Sequence, residues 1–319
     1  MFSNAAGIGA DIGRNSIRIG VVKIDGSLLF EDSVSLINRL ERDEILEKLV
    51  AAIQKTRQQA AESGINTITV GIAARGFIDH QAGIILGPDH GIRGWSDVPL
   101  SKIVERETGL PVFVGNDANL MTVAEQRFGS ARGFKNVVFV ALRTGIGGGI
   151  IINGNLYRGV NNAGGEIGQM IINYTGGVSE TGISGSYEYF ASGAAMIRRY
   201  FEEGGAAEPG KPSVSARDIF KLGEKGDETA LRVIRENAYL TGVGIANLIT
   251  IFAPEIIVLG GGMAEGGNDY IKLIKESAFR NSLENCRAEV RIEKATLGPE
   301  AALIGAGYYG LIRLSGKSI

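Results

Sequence analysis

Two segments of this chain repeat one device: an apolar strand runs into a glycine-bearing loop, a second strand leads back, and an Asx-Gly turn follows. In the first segment Gly7 to Asp11 reads as a strand and Ile12-Gly13 opens the loop. Ile17 to Ile24 returns, and Asp25-Gly26 turns into Ser27 to Phe30. In the second, an apolar strand ends at Leu142 and meets the glycine loop Thr144-Gly145-Ile146-Gly147-Gly148-Gly149. Ile150 to Ile152 then returns, and Asn153-Gly154 turns into Leu156. Any two glycine-bounded hairpins share these features, so coincidence stays open. We prefer duplication, which gives a two-lobed α/β protein with one such hairpin in each lobe facing a shared cleft.

Strands and helices alternate between and after the hairpins. Glu41 to Ser63 repeats apolar residues at helical spacing (Ile45, Leu46, Leu49, Val50, Ile53), with Gly64 as a stop. Thr67 to Ile72 and Val112 to Val114 read as strands, and Ser101 to Thr108 and Ala118 to Phe128 as helices. Tyr174 to Ser186 is polar, glycine-rich and aperiodic, hence a loop. Helical spacing resumes at Tyr187 to Glu203, Ala216 to Leu222 and Glu228 to Phe252. Ile256 to Leu259 reads as a short buried strand, and Ala301 to Leu314 as a final helix. This order predicts an α/β layer fold, with one lobe over 1–117 plus 300–319 and the other over 118–299.

Composition narrows the function. Glycine is 47 of 319 residues, yet aperiodic and set among 44% apolar residues, so it punctuates a packed fold. Lys+Arg 33 against Asp+Glu 35 leaves a formal net charge of -2, which argues against nucleic acid as the partner. The single cysteine, Cys286, rules out an intramolecular disulfide framework and a multi-cysteine zinc knot. No apolar run nears the roughly 18 residues of a membrane span. Met1 to Ala10 lacks a basic-then-apolar leader, so a soluble cytoplasmic protein with no membrane partner is expected. With only His80 and His90, relays or metal sites that need several histidines have little to draw on.

Three glycine loops follow apolar strands, at Asp11 to Ser16, Thr144 to Gly149 and Gly260 to Gly262, and backbone N–H groups in such loops can cradle phosphate oxygens. Each alone could be a tight turn. A Walker reading fails, because Gly310 with Gly316-Lys317-Ser318 has the wrong spacing. A dinucleotide reading of Gly145-x-Gly147 fails because a strand, not a helix, should follow. Gly115-Asn116-Asp117-Ala118-Asn119 lies where a strand becomes a helix. That suits a plain helix cap, and it is also where open α/β sheets place ligands. Phosphoryl transfer to an alcohol needs one carboxylate near the attacking hydroxyl, and Asp117 is the best candidate for it. Gly164-Gly165-Glu166-Ile167-Gly168-Gln169, followed by Tyr187-Glu188, offers acids and an amide suited to a polyol, although composition alone favours solvated glutamates.

In their order, these motifs resemble those of the ROK sugar kinases, whose fold is the actin-like, ASKHA-type (ribonuclease H-like) one, over nearly the whole chain. Asp11-Ile12-Gly13 resembles the first phosphate motif, Gly115 to Asn119 the catalytic segment, and Thr144 to Gly149 the second phosphate motif. Glu166-Ile167-Gly168 with Glu188 resembles the sugar-binding segment, and Gly260-Gly261-Gly262 the adenosine loop. The resemblance implies an ATP-dependent, glucokinase-like sugar 6-kinase with Asp117 as general base. Gly76, Asp89, Asn116, Asp117, Glu166, Gln169 and Glu188 would bind the sugar. Asp11, Gly13, Asn15, Thr144, Gly145, Gly147, Gly260, Gly261 and Gly262 would bind nucleotide, with Asp11 near magnesium. It also implies a homodimer.

The departures are specific. Zinc-bearing relatives carry a histidine at the place of Gln169 and cysteines between there and Glu188. This chain has neither, so no structural zinc is expected. Arg14, Arg75 and Arg143 stand where small or rigid residues are usual. They could face solvent, favour an acidic substrate, or obstruct nucleotide. Asp89 takes the place of a sugar-binding asparagine. A sugar-sensing repressor would need a helix-turn-helix before Asp11, where little chain precedes. A catalytically silent sugar or nucleotide binder is the remaining alternative.

Overall fold

The computed structural model describes residues 5–36, 41–87, 92–179, 181–207 and 213–317. By internal contacts the chain forms two units, one of residues 1–133, 149–164 and 299–319, the other of 134–148 and 165–298.

The first unit opens with β1 (Ala5–Ile12), β2 (Ser16–Lys23) and β3 (Leu28–Ser35), an antiparallel meander. The helix α1 (Arg42–Glu62) crosses over to β4 (Asn66–Ala74), which pairs parallel with β1. Its apolar stripe of Ile45, Leu46, Leu49 and Ile53 is buried, as the helical spacing requires, and joins Ile8, Ile19, Val70 and Ile72 of the sheet in one core. A small hairpin of β5 (Phe77–Asp79) and β6 (Ile84–Leu86) follows, then α2 (Leu100–Thr108), which ends on Gly109 in the left-handed region. Next, β7 (Val112–Asn116) pairs parallel with β4 and passes directly into α3 (Asp117–Phe128). The sheet order is β3-β2-β1-β4-β7.

In the second unit β8 (Val137–Leu142) is buried along its whole length, and β9 (Ile146–Ile152) crosses the division between units to reach β10 (Asn155–Leu156). The strand therefore starts at Ile146, four residues earlier than the glycine run suggests. Glycine there serves side-chain packing: a Cβ at Gly148 would lie 2.4 Å from Ile167 Cδ1, and one at Gly149 2.0 Å from Thr122 Oγ1. Where one helix is expected over 187–203 there are two, α4 (Tyr187–Ala191) and α5 (Gly193–Glu202). Ser192 has extended backbone and caps the second by accepting from Ala195 N–H. Helices α6 (Ala216–Glu224) and α7 (Glu228–Phe252) lead to β11 (Ile256–Gly260), parallel to β8. Then α8 (Asn268–Arg280) and the short α9 (Glu284–Arg287) precede β12 (Arg291–Lys294), parallel to β11. The order β10-β9-β8-β11-β12 matches the first sheet strand for strand, so the repeat seen in the sequence extends to topology.

The chain ends in α10 (Ala301–Leu314), which lies on the first unit's sheet at unusually close range. A Cβ on Gly9 would come within 2.3 Å of the Leu303 carbonyl oxygen, and one on Gly71 within 1.7 Å of that of Ala306. Near its end Arg313 donates to the Tyr309 hydroxyl at 2.7 Å and to the His80 carbonyl at 3.3 Å, while His80 Nδ1 meets the Asn162 side chain. Burial, and then the charge of Arg158, hold the His80 pKa below its usual value of about 6.5. The unfolded chain then takes up the proton at higher pH than the folded one. The stability that neutral His80 confers is present above about pH 6.5 and lost as pH falls through the lower folded value. A His80→Asn variant is expected to flatten this segment of a melting-temperature profile against pH; an unchanged slope would contradict the assignment. Among the described residues no helix is long and apolar enough to cross a membrane.

Candidate active site

On the first unit the expected catalytic segment sits at the carboxyl end of β7, where the strand becomes α3. Asn116 acts as a cap and more. Its Oδ1 accepts from Asn119 N–H at 3.1 Å, and its Nδ2 donates to the Gly76 carbonyl at 3.1 Å, so the amide is fixed at both ends. Gly76 is at φ 90 with open space where a Cβ would lie, which allows a ligand to approach its backbone. Asp117, half-buried at the first helical position, accepts from Ala118 N–H through Oδ1 at 2.8 Å. Asn116, Asp117 and Gly76 are thus brought together.

Asp11, next to last in β1 and half-buried, lies before a tight turn in which Gly13 N–H donates to the Ser16 carbonyl at 3.0 Å. The Asn15 carbonyl accepts from Leu36 N–H at 2.8 Å. Arg14 is exposed, and Arg75, half-buried, is engaged with a neighbour. Asp89 lies outside the described residues.

On the second unit two glycine loops occupy the carboxyl ends of neighbouring parallel strands, where α/β sheets bind ligands. Gly260 pairs with Ala141, and Gly261, at φ 90, lies against the end of β8, where a Cβ would meet the Leu142 carbonyl oxygen at 2.4 Å. Gly260 is glycine for a packing reason, the Phe139 ring, whereas Gly262 faces open space. The loop Arg143-Thr144-Gly145 is held from behind by the first turn of α5: Gly193 N–H donates to the Arg143 carbonyl at 2.8 Å, and Ala194 N–H to that of Thr144 at 3.0 Å. Thr144 is left exposed, and Gly147 lies half-buried within β9. The sequence reading missed this clamp by α5, although the Ser192-Gly193 pair is visible as a capping signal.

The residues expected to bind the sugar lie against the same loop and the strand that follows it. Ile167 is buried against Gly148 and Gly168 against the Ile146 carbonyl, which leaves Glu166 exposed at the start of a short 3-10 turn. Tyr187, buried and bonded to the Thr241 carbonyl at 2.9 Å, anchors α4 and so fixes Glu188 beside it. Glu188 Oε2 accepts from Ile146 N–H at 2.8 Å, and a Cβ at position 145 would stand 2.3 Å from that oxygen, so glycine at 145 lets the carboxylate keep this place. Gln169 Nε2 donates to Glu188 Oε1 at 3.5 Å. No group of three or more His, Cys, Asp or Glu placed to hold a metal occurs among the described residues.

Comparison with known proteins gives these positions a context. The ROK family pattern matches residues 7–310. A glucokinase of Halalkalibacterium halodurans is 33% identical over 311 residues, covering 94% of this chain and 93% of that protein. A putative xylose repressor of Caldicellulosiruptor sp. is 29% identical over 93% of this chain and 76% of its own length. A ROK family glucokinase from Streptomyces griseus, solved in complex with glucose and AMPPNP, superposes with a TM-score of 0.84 at 30% identity over 96% of this chain and 99% of that one. Two sheets of the same strand order, each with a glycine turn after its first strand, follow the actin-like architecture of ROK sugar kinases, and the chain belongs to the ROK family.

Proposed function

We propose that this protein is an ATP-dependent kinase that phosphorylates a hexose, glucose or a close relative such as mannose or an N-acetylhexosamine, at its 6-hydroxyl. The observation that carries the reading is the Asn116-Asp117 corner, where a doubly bonded amide and a carboxylate share the first turn of α3 at the end of a parallel strand. The glucokinase relative and the structure solved with glucose and AMPPNP support it.

In this reading Asp117 accepts the proton of the sugar's O6 as that oxygen bonds to the γ-phosphorus of ATP and the bond from that phosphorus to the β,γ-bridging oxygen breaks, leaving ADP. Asn116, Gly76, Glu166, Gln169 and Glu188 orient the sugar by accepting from and donating to its hydroxyls. Thr144, Gly145 and Gly147 and the turn at Gly13 and Asn15 approach the phosphates, and Gly260 to Gly262 the adenosine. A carboxylate near the end of β1 suits magnesium, which would balance phosphate charge with Asp11 helping to hold it.

ADP release measured by a coupled assay across glucose, mannose, fructose, allose, N-acetylglucosamine and N-acetylmannosamine, with ATP and polyphosphate as donors, tests the reading. Hexose-dependent turnover is the expected result. The likeness to a xylose repressor, with the exposed Arg14 beside Gly13, favours one second reading: a sugar- or nucleotide-binding regulator without turnover. Ligand-induced melting shifts with no ADP release across the panel would support that reading over the first. Elemental analysis after purification from zinc-containing medium is expected to find no stoichiometric zinc; a full equivalent would contradict the reading of Gln169 as a sugar-facing amide.

A further inference from the structure

Glu188 is the end of a hydrogen-bonded chain that continues past Gln169 into the loop before α4. Gln169 Oε1 is 2.7 Å from Thr181 Oγ1, Thr181 Oγ1 is 2.7 Å from Ser179 Oγ, and Ser179 Oγ accepts from Ile183 N–H at 3.2 Å. Elementary hydrogen-bond chemistry gives this chain one polarity. An ionised carboxylate only accepts, so the end of Gln169 that faces Glu188 must be its NH2 group. The carboxamide oxygen then faces Thr181, whose hydroxyl must donate to it. With its proton used, Thr181 can only accept from Ser179, and Ser179, donating to Thr181, accepts from the backbone at Ile183. Glu188 is therefore suspended between two backbone amides, that of Ile146 directly and that of Ile183 through three side chains.

We propose that Thr181 is a positioning residue for the sugar site: its hydroxyl fixes the orientation of the Gln169 amide, which holds the Glu188 carboxylate in place for the acceptor's hydroxyls. This rests on the sugar-binding reading of Glu188 given above. A carboxylate offers about four lone-pair sites. One on each oxygen is taken by Ile146 N–H and Gln169, and the remaining two suit two hydroxyls of one sugar. The link from Gln169 to Glu188, at 3.5 Å, is the longest of the chain, as contacts in ligand-free sites often are. Thr181 itself is exposed, so its replacement leaves the core intact, and the loop keeps its own backbone bonds, from Ser179 N–H to Ile183 and from Gly185 N–H to Gly177.

Thr181→Val removes the hydroxyl at constant shape, and Thr181→Ser keeps it. With saturating ATP and varied hexose, the valine variant is expected to raise the hexose KM about 3- to 10-fold, the range of one lost hydrogen bond, with kcat within about 2-fold. The serine variant should restore KM to within about 2-fold of the parent, and Ser179→Ala, one step further from Glu188, should raise it less than the valine variant. An unchanged KM for Thr181→Val would overturn the proposal. So would equal damage from valine and serine, or a loss confined to kcat. If the parent binds hexose without turnover, the same ratios are read from calorimetric Kd values, so the proposal is tested even if the kinase reading fails. A parent that binds no hexose from the panel removes both.

Discussion

An Asp117→Asn variant is expected to fold like the parent and to lose at least roughly 10²- to 10⁴-fold in turnover, the contribution typical of a positioned general base. The fold should survive because asparagine keeps the Oδ1 acceptor that meets Ala118 N–H at 2.8 Å and is well tolerated at a helix start. What it removes is the site for the proton. The hexose KM should change little, since the amide still occupies the same space and can hydrogen-bond the 6-hydroxyl. The neighbouring Asn116→Ala provides a contrast. It removes the cap on Asn119 N–H, a cost of about 1 kcal/mol, and the tie to the Gly76 carbonyl, so it should lower the melting temperature and raise KM together. Near-parental turnover in a folded Asp117→Asn, judged by circular dichroism beside the ADP assay, would remove Asp117 from the mechanism as the general base.

Where local pattern and tertiary burial agree, the sequence is legible. The stripe of Ile45, Leu46, Leu49 and Ile53 faces the sheet because helical spacing leaves it no other way to be buried, and Asp117 starts a helix where the strand-to-helix boundary was read. The doubled hairpin is legible for the same reason, since an Asx-Gly turn between apolar runs has few other solutions. Legibility stops where distant residues decide. Gly148 and Gly149 are glycine within a strand because Ile167 and Thr122 occupy the space their side chains would need, and no window around the glycines contains that information. Glu188 looks like a solvated glutamate until Ile146, 42 positions away, is seen to donate to it. Thr181 is one polar residue among many in an aperiodic loop, and only the acceptor-only chemistry of Glu188, passed through Gln169, singles it out.

The same dependence on distant backbone makes Gly71→Ala the most damaging single methyl group expected outside the proposed active site. Gly71 lies in the middle of β4, and its φ is not positive, so alanine suits the strand and no conformational strain confuses the result. The added Cβ would stand 1.7 Å from the Ala306 carbonyl oxygen and 2.5 Å from its carbon. Those atoms belong to the backbone of α10, which cannot rotate away as a side chain would. The helix must lift from the sheet, and Gly9 beneath Leu303 and Gly7 beneath Gly307 lose their contacts with it. Overpacking of this kind costs typically 1–3 kcal/mol and sometimes more. A loss of about 3 kcal/mol would lower the melting temperature of a unit this size by roughly 6–12 °C. Gly64→Ala is the control. It has open space but φ 72, so only the left-handed backbone penalty of about 1–2 kcal/mol applies. Activity should fall with stability at Gly71 and not at Gly64, because α10 also supports α3, which carries Asp117. A Cβ on Gly305 would come within 2.0 Å of the Leu120 carbonyl oxygen in α3, and Tyr308 meets Phe128 edge to face at 5.0 Å. A helix displaced from Gly71 therefore displaces the base of α3 and the carboxylate at its head. A Gly71→Ala variant that melts within about 1 °C of the parent would show that α10 accommodates the methyl group, and the close contact would then have no part in holding Asp117.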